Sequence, residues 1–265
     1  MTSSLERVRS VLFLPASNPR AIGHARESAA DLVILDLEDA VRPADKDSAR
    51  SAAAEAAADE WPMPVAIRIN GAGTEWHSLD VDAVARSAAQ FAVLPRSTSA
   101  HLVREVAEAL AKPLLAMIET PAGVLAAAEI AREAAALIAG TNDLRAELRV
   151  PIEQDRSAIS ASLQMIVLAA RAGGIPVFDG VFNKLEDPDA FAAECAEGRR
   201  LGFDGKSLIH PKQIEACNRA FSPAEDEIAR ARRLVEAFGG GAERFEGQMI
   251  ERMHVEAAKR LLDRA

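Results

Sequence analysis

The sequence predicts a (β/α)8 barrel, or TIM barrel, with a C-terminal helical extension, and three observations lead there. Short apolar runs recur along the chain, segments with helical spacing separate them, and the runs are continuous rather than alternating. Strands separated by helices pair in parallel, and a parallel sheet covered on both faces has continuous apolar strands. Eight such units in 265 residues suit a closed barrel, for which roughly 250 residues are typical. A doubly wound open sheet is the structural alternative.

The predicted strands follow one another at regular intervals. They are VLFLP (11–15), LVILDLED (32–39), VAIRIN (65–70), FAVLP (91–95), LLAMIE (114–119), ALIAG (136–140), IPVFDG (175–180) and KSLIHP (206–211). Between the fourth and fifth runs, apolar residues recur at helical spacing: Leu102, Val103, Val106, Ala109 and Leu110. ALIAG is equally compatible with the end of a helix, so of the eight strands the sixth has the weakest support from the sequence.

Beyond the eighth strand the pattern changes to helices. Two helical segments are expected, around 211–220 and 223–238, before Gly239, Gly240 and Gly241 interrupt the chain. Consecutive glycines give high backbone freedom and are typical of a hinge or linker. The last segment ends in an amphipathic helix whose apolar side carries Val255, Ala258, Leu261 and Leu262. We therefore divide the chain into a catalytic barrel, 1–238, and a hinge with a helical lid, 239–265.

Composition excludes several classes of protein. The formal net charge of −9 argues against a nucleic-acid-binding protein, which would carry a basic patch or stripe. Cys195 and Cys217 form no ligand-like cluster, so neither a disulfide framework nor a zinc site is expected. The first apolar run is too short for a signal peptide or a membrane span. These features predict a cytoplasmic protein without a membrane partner.

Polar residues follow the ends of almost all the predicted strands. They are Asp36, Glu38, Asp39, Arg68, Asn70, Arg96, Glu119, Asp143, Asp179, Asn183 and His210. In a (β/α)8 barrel the C-terminal ends of the strands form the catalytic face. The pattern therefore predicts an enzyme with its site on that rim.

Glu119 and Asp143 end successive predicted strand units, so their carboxylates are expected to converge. Two close carboxylates repel each other unless a cation or a proton lies between them, and Mg²⁺ or Mn²⁺ suits such oxygen ligands. The alternative is that each acid caps the helix that follows it, where a negative charge is favourable.

Arg68 lies inside the apolar run VAIRIN, so its guanidinium needs an acidic partner or an opening in the barrel. Asp36 or Glu38 on the adjacent strand could orient it toward a carboxylate or oxyanion ligand; a buried structural ion pair is the alternative. His210 is expected to serve packing. Lys184 and Lys206 lie where a Schiff-base lysine could be, although such a lysine must be desolvated.

Taken together, the motifs resemble the citrate lyase beta-subunit-like proteins of the HpcH/HpaI aldolase superfamily, which is related to malyl-CoA lyase. The motifs span almost the whole chain: LFLPASNPR, LVILDLEDAV, IRIN, LPR, IETPAGV, GTNDL, DGVF, GFDGKSLIHPKQI, FSPAEDEIARARRLV and FEGQMI. The resemblance implies a TIM barrel assembled as a homotrimer or a hexamer. It also implies Mg²⁺, with Mn²⁺ as a substitute, held by Glu119 and Asp143, and a substrate-binding role for Arg68 and Glu119.

The chemistry implied by the resemblance is cleavage or formation of a carbon–carbon bond in a hydroxyacyl-CoA thioester such as citryl-, citramalyl- or malyl-CoA. The products of cleavage are acetyl-CoA and a 2-oxo acid. Three alternatives remain open: malate-synthase or thioesterase chemistry, the beta subunit of a multi-subunit citrate lyase, and a non-catalytic barrel that binds small acids. Arg20 and Arg96 are candidate contacts for CoA phosphates.

Two positions depart from the pattern of the relatives. QMIER places Glu251 where an Asp is expected, and in malyl-CoA lyases and similar enzymes that acid reaches the site of a neighbouring subunit. Glu251 is therefore a candidate catalytic acid–base, with a surface glutamate as the alternative. Asn142 stands where many relatives carry an acid before Asp143, which makes the rim less negative.

Overall fold

The protein is described by a computed structural model that covers residues 5–151 and 155–265. Its centre is a closed barrel of eight parallel strands in the order β1 to β8, in which β8 pairs with β1. The strands are β1 (Ser10–Pro15), β2 (Leu32–Asp36), β3 (Val65–Arg68), β4 (Phe91–Leu94), β5 (Leu114–Ile118), β6 (Ala136–Ala139), β7 (Val177–Asp179) and β8 (Gly205–Leu208). The predicted TIM barrel is confirmed, including the sixth strand, and the open-sheet alternative is wrong.

Helices surround the barrel and cover its outer face. They are α1 (Pro19–Arg26), α2 (Lys46–Ala57), α3 (His77–Arg86), α4 (Ala100–Leu110), α5 (Pro121–Ile130), α6 (Thr141–Glu147), α7 (Ser160–Gly173), α8 (Pro188–Leu201) and α9 (Ile214–Phe221). Short 3-10 turns precede three of them, at Pro43–Asp45, Arg156–Ile159 and Pro211–Gln213. Among the described residues, no helix is long and apolar enough to cross a bilayer.

Side chains of each strand alternate between two apolar layers. One layer lies between strands and helices, and the other fills the barrel interior. Members of the interior layer include Leu32, Ile34, Ala66, Phe91, Val93, Leu115, Met117, Ala136, Ile138 and Phe178. Because successive strand side chains point to opposite faces, a residue two positions after an interior residue also points inward. This alternation determines which polar side chains point into the barrel opening at the C-terminal ends of the strands.

The C-terminal elements form a small unit with a core of its own. It comprises α10 (Glu225–Ala237), β9 (Glu243–Phe245), β10 (Gln248–Ile250) and α11 (Arg252–Asp263). Ala231 and Leu234 of α10 pack with Ile250, Val255 and Ala258 in one cluster. The sequence predicts α10 as part of the barrel domain, 1–238, whereas in the structure it packs with the C-terminal elements. The antiparallel hairpin of β9 and β10 was not predicted.

Candidate active site

A cavity of about 370 Å³ opens at the C-terminal ends of the strands. Its floor is apolar and includes Phe13 and Met117. Its polar lining consists of Asp36, Asp39, Arg68, Glu119, Thr141, Asn142, Asp143, Asn183 and Ser207. The cavity therefore gathers most of the polar residues that the sequence placed on one rim.

Strand register explains why three of these side chains meet. Asp36, Arg68 and Glu119 each follow by two positions a residue of the interior layer. Those residues are Ile34, Ala66 and Met117. Asp36 and Arg68 are also direct partners in the pairing of β2 with β3. Alternation thus places all three polar side chains above the apolar interior, in its uppermost layer.

Arg68 is held by two acids. Its Nε and Nη2 donate to the two carboxylate oxygens of Asp36, each at 2.6 Å, and its Nη1 lies 2.8 Å from Glu38 Oε2. Burial disfavours its charge, but Asp36 and Glu38 outweigh this cost and hold the pKa of the guanidinium above its ordinary value. Arg68 therefore stays a cation in a fixed orientation, and both expected acids contribute.

Glu38 has an unusual proton affinity. Burial, together with the nearby charges of Asp39 and Glu119, raises its pKa to about 8, although Arg68 opposes the shift. Its Oε2 is buried without a hydrogen-bond partner, so its contact with Arg68 is an ion pair and not a hydrogen bond. A carboxyl with such a pKa exchanges its proton near neutral pH, as a general acid or base must.

Glu119 is buried at the end of β5. Its Oε1 accepts a hydrogen bond of 2.6 Å from the backbone N–H of Arg96, and its Oε2 faces Gly140. A Cβ atom on Gly140 would lie 2.4 Å from that oxygen, so only glycine leaves room for the carboxylate. Burial is the main reason why its pKa rises to about 7, and the charge of Asp143 adds to the rise.

Arg96 has a left-handed backbone, with φ of 47°, which is uncommon for a residue other than glycine. This conformation accompanies the donation of its N–H to Glu119. Its guanidinium binds Glu147 at 2.5 Å and lies 3.9 Å from Asp143. A CoA phosphate would therefore compete with Glu147 for Arg96. Arg20 is exposed in the first turn of α1, outside the cavity.

Asp143 lies in the first turn of α6 and lines the cavity, with its side chain 43% exposed. It does not cap the helix, because no side chain caps the N-terminus of α6. Glu119 does not cap α5 either; the side chain of Thr120 does so. Neither acid therefore supplies an N-cap hydrogen bond, although Asp143 does lie in the first turn of α6, where a negative charge is favourable.

Two carboxylates in one cavity suit a divalent cation. Residues 5–151 and 155–265 contain no cluster of three or more His, Cys, Asp and Glu side chains that could hold a metal ion. Mg²⁺ requires no such cluster, because it is commonly held by one or two carboxylates and completes its shell with water and substrate oxygens. The Oε2 of Glu119 and the exposed carboxylate of Asp143 fit that requirement.

Lys206 and Asp179 do not reach the cavity. Both point toward α8, where Lys206 Nζ donates to Asp179 at 2.9 Å and to Glu194 at 2.7 Å. Burial opposes the charge of Lys206, but these acids outweigh it and raise its pKa. Because its amine is held between these two carboxylates and does not line the cavity, Lys206 is not placed to form a Schiff base with a ligand there.

The remaining candidates lie apart from the cavity lining. Lys184 is exposed beside a neighbouring groove, and His210 Nδ1 accepts a hydrogen bond of 3.1 Å from the backbone N–H of Lys212. His210 thus caps a turn, in line with the packing role expected for it. Glu251 is exposed at the start of α11. One buried cation near the site, Lys46, was missed by the sequence analysis.

Comparison with known proteins identifies the family. Residues 9–211 match the model of the HpcH/HpaI aldolase/citrate lyase family. The chain belongs to this family. A (3S)-malyl-CoA thioesterase of Cereibacter sphaeroides is 42% identical over 97% of this chain and 94% of the relative. A citrate lyase subunit beta of Leuconostoc mesenteroides subsp. cremoris is 33% identical, over 96% and 92% respectively.

A solved relative within this HpcH/HpaI family shows the same architecture. CitE from Mycobacterium tuberculosis, in complex with magnesium, acetoacetate and coenzyme A, superposes with a TM-score of 0.86 at 33% identity. The match covers 98% of this chain and 99% of that protein. The family predicted from the motifs is therefore confirmed over nearly the full length.

Proposed function

We propose that the protein is a Mg²⁺-dependent carbon–carbon lyase acting on a hydroxyacyl-CoA thioester such as malyl-, citramalyl- or citryl-CoA. The observation that carries the proposal is one cavity holding a buried, permanently charged arginine, Arg68, beside the carboxylates of Glu119 and Asp143. The relatives support the substrate class, since they are named for malyl-CoA and citrate chemistry. Solved CitE complexes with magnesium and oxaloacetate or pyruvate support the metal and the oxo acid.

In this proposal Glu119 and Asp143 hold the ion. Bound there, Mg²⁺ supplies Lewis-acid stabilisation of negative charge on the substrate oxygens. Arg68 adds a fixed positive charge for the carboxylate or the developing oxyanion, already oriented by Asp36 and Glu38 before the ligand binds. Donors fixed in advance cost no reorganisation when the bond breaks.

Cleavage removes the proton of the substrate hydroxyl, breaks the adjacent carbon–carbon bond, and returns a proton to the acetyl carbon. Glu251 is our candidate for this proton transfer, contributed by a neighbouring copy in a homotrimer or hexamer. It is exposed and lies between Met249 and Met253, which are 66% and 64% exposed. Exposed apolar residues around an acid favour a surface that another copy covers. The hinge-and-lid division at residues 239–265 belongs to this proposal.

Arg20 and Arg96 are proposed contacts for CoA phosphates, and the cytoplasm is the proposed compartment. Arg20 is exposed near the cavity-lining end of β1, where a long thioester ligand would leave the site. Arg96 would have to exchange Glu147 for a phosphate. Because of this cost, Arg20 is the better of the two candidates.

The test is a mass-spectrometric screen of malyl-, citramalyl- and citryl-CoA with the full-length protein and MgCl₂. We expect acetyl-CoA to appear with glyoxylate, pyruvate or oxaloacetate, respectively, and the reaction to stop with EDTA or in Glu119→Ala. Glu108→Ala, on the exposed side of α4, is the matched control and keeps full activity. Turnover that persists in Glu119→Ala would refute the assigned site.

A second candidate is hydrolysis of the thioester, favoured by the 42% identity with the (3S)-malyl-CoA thioesterase. The same reaction mixture separates the two. Hydrolysis of malyl-CoA releases malate and free CoA in equal amounts without acetyl-CoA, whereas the lyase reaction gives acetyl-CoA and glyoxylate. Product ratios at early times decide between them.

A further inference from the structure

Lys46 is a buried cation beside the site that the mechanism above does not use. It is the first residue of α2, only 5% exposed, and it lies where a positive charge opposes the helix dipole. Its Nζ donates to the carbonyl oxygens of Leu37 and Glu38 at 2.7 and 2.8 Å, and to Asn70 Oδ1 at 2.6 Å. The ring of Trp76 lies 5.0 Å from the same nitrogen. Three neutral oxygens and an aromatic face thus surround the ammonium.

The segment 36–40 uses its backbone groups in two opposite directions. The N–H groups of Glu38 and Ala40 donate to the carboxylate of Asp36 at 2.9 and 3.0 Å, on the side that faces Arg68. The carbonyl groups of Leu37 and Glu38 turn the other way, to Lys46. Since buried backbone groups must be paired, Asp36 and Lys46 together fix the path of this segment.

Asn70 links the same ammonium to the end of β3. Its Nδ2 donates to the carbonyl of Leu37 at 3.0 Å and to Asp80 at 2.6 Å, and its backbone N–H also donates to Asp80. Asp80 is fully buried on α3 and accepts a hydrogen bond of 2.6 Å from Arg50 of α2. Lys46 and Asn70 therefore join the segment that carries Glu38 to the strand that carries Arg68.

We infer that Lys46 is a positioning residue, whose ammonium fixes the 36–39 segment against the end of β3 and so holds Glu38 in contact with Arg68. Without it, the buried Asn70 Oδ1 loses its donor, and the carbonyl groups of Leu37 and Glu38 each keep one donor, Asn70 Nδ2 and the Val41 N–H respectively. The cation that ties the segment to the end of β3 is gone, and the segment can move to find a new donor for Asn70. Movement separates Glu38 from Arg68. The consequence for catalysis rests on the proposed function, whereas the consequence for structure does not.

The test compares Lys46→Met with Lys112→Met in the full-length protein. Lys112 is a matched control, because its Nζ also donates to a backbone carbonyl, that of Ser87 at 3.0 Å, but immediately before β5 begins, away from the site. Crystal structures of both variants are the first readout. We expect the 37–39 segment to shift and the Glu38–Arg68 contact to open in Lys46→Met, and neither change in Lys112→Met.

The second readout is kcat/KM for the thioester that the wild-type enzyme cleaves, measured in a double-mutant cycle with Glu38→Gln. Lys46→Met is expected to lower kcat/KM by about tenfold or more, and by much less in the Glu38→Gln background, because groups that act through each other are not additive. Equal losses in the two backgrounds would indicate general destabilisation and overturn the assignment.

The two readouts separate failure of this inference from failure of the proposed function. An unmoved 37–39 segment in Lys46→Met overturns the inference whatever the activity. A displaced segment in a protein whose wild type cleaves no thioester supports the positioning role and refutes the proposed function. If Lys46→Met does not fold, Lys46→Gln replaces it. Its amide is shorter and has only two N–H donors for the three oxygens, so we expect a smaller opening of the Glu38–Arg68 contact, and an unmoved 37–39 segment overturns the inference.

Discussion

Replacing Glu119 by glutamine should make the metal-free protein more stable at alkaline pH and abolish its stabilisation by magnesium. Glutamine has the same shape as the protonated acid, and its carbonyl oxygen can still accept the hydrogen bond from Arg96. It cannot ionise, and it is a poor ligand for Mg²⁺. The substitution therefore removes the charge and little else.

The magnitude follows from the pKa of Glu119. Burial raises it to about 7 from the ordinary value of 4.5, so between these values the folded protein keeps a proton that the unfolded chain has released. The free energy of unfolding therefore falls as the pH rises from 4.5 through 7, and the loss is complete above that range. The pKa difference corresponds to roughly 3 kcal/mol. Glu119→Gln should match wild type near pH 4.5 and exceed its stability by that amount at pH 8.5.

Urea unfolding at both pH values, with EDTA or MgCl₂ and at one protein concentration, measures the effect. Glu108→Gln on exposed α4 is the control and should show no such gain. Magnesium at a hundred times its Kd should stabilise wild type by about 2.7 kcal/mol and leave Glu119→Gln unchanged. Equal stability of Glu119→Gln and wild type at pH 8.5 would show that burial does not destabilise the ionised carboxylate.

Three further substitutions test the site and its surroundings. Arg68→Lys keeps the positive charge but loses the two-point contact with Asp36, so kcat/KM should fall by about a hundredfold in steady-state assays. Unchanged kinetics would show that the site requires only a positive charge at this position. Gly140→Ala should weaken magnesium binding in calorimetry and lower stability by about 1–3 kcal/mol, whereas Gly23→Ala, which meets open space, should do neither. Lys206→Met should lower the free energy of unfolding by about 3–5 kcal/mol, because Asp179 loses a buried partner. Borohydride reduction of wild type with substrate should trap no adduct at Lys206, and an adduct mapped to that residue would contradict its confinement between Asp179 and Glu194.

The barrel could be predicted because each strand is covered on both faces. Continuous apolar runs are typical of such strands, and each of the eight predicted runs overlaps an observed strand. The grouping of Glu119, Asp143 and Arg68 in one cavity also follows from the sequence, since each ends a strand or follows one. Their roles as metal ligands and substrate contact stay predictions until the experiments above are done.

Other features depend on details that the sequence pattern does not contain. Asp179 was expected on the rim, but Phe178 is the interior residue of β7, so its neighbour must point outward. The hairpin of β9 and β10 turns through Glu246 and Gly247, both with positive φ. Such a turn favours Asn-Gly or Asp-Gly, and Glu-Gly gives a weaker signal. Lys46 was missed because its acceptors are backbone carbonyls, which no side-chain pattern reveals.

The charge of the rim has a consequence for the order in which ligands bind. Asp39, Glu119 and Asp143 line the cavity, and the charges of Arg68 and Arg96 are already offset by Asp36 and Glu147. An incoming dicarboxylate or oxo acid therefore meets net repulsion until a divalent ion has entered. The ion and the organic acid should each tighten the binding of the other by the same factor. The concentration of free magnesium would then control how much of the protein has substrate bound, because of the negative charge of the empty cavity.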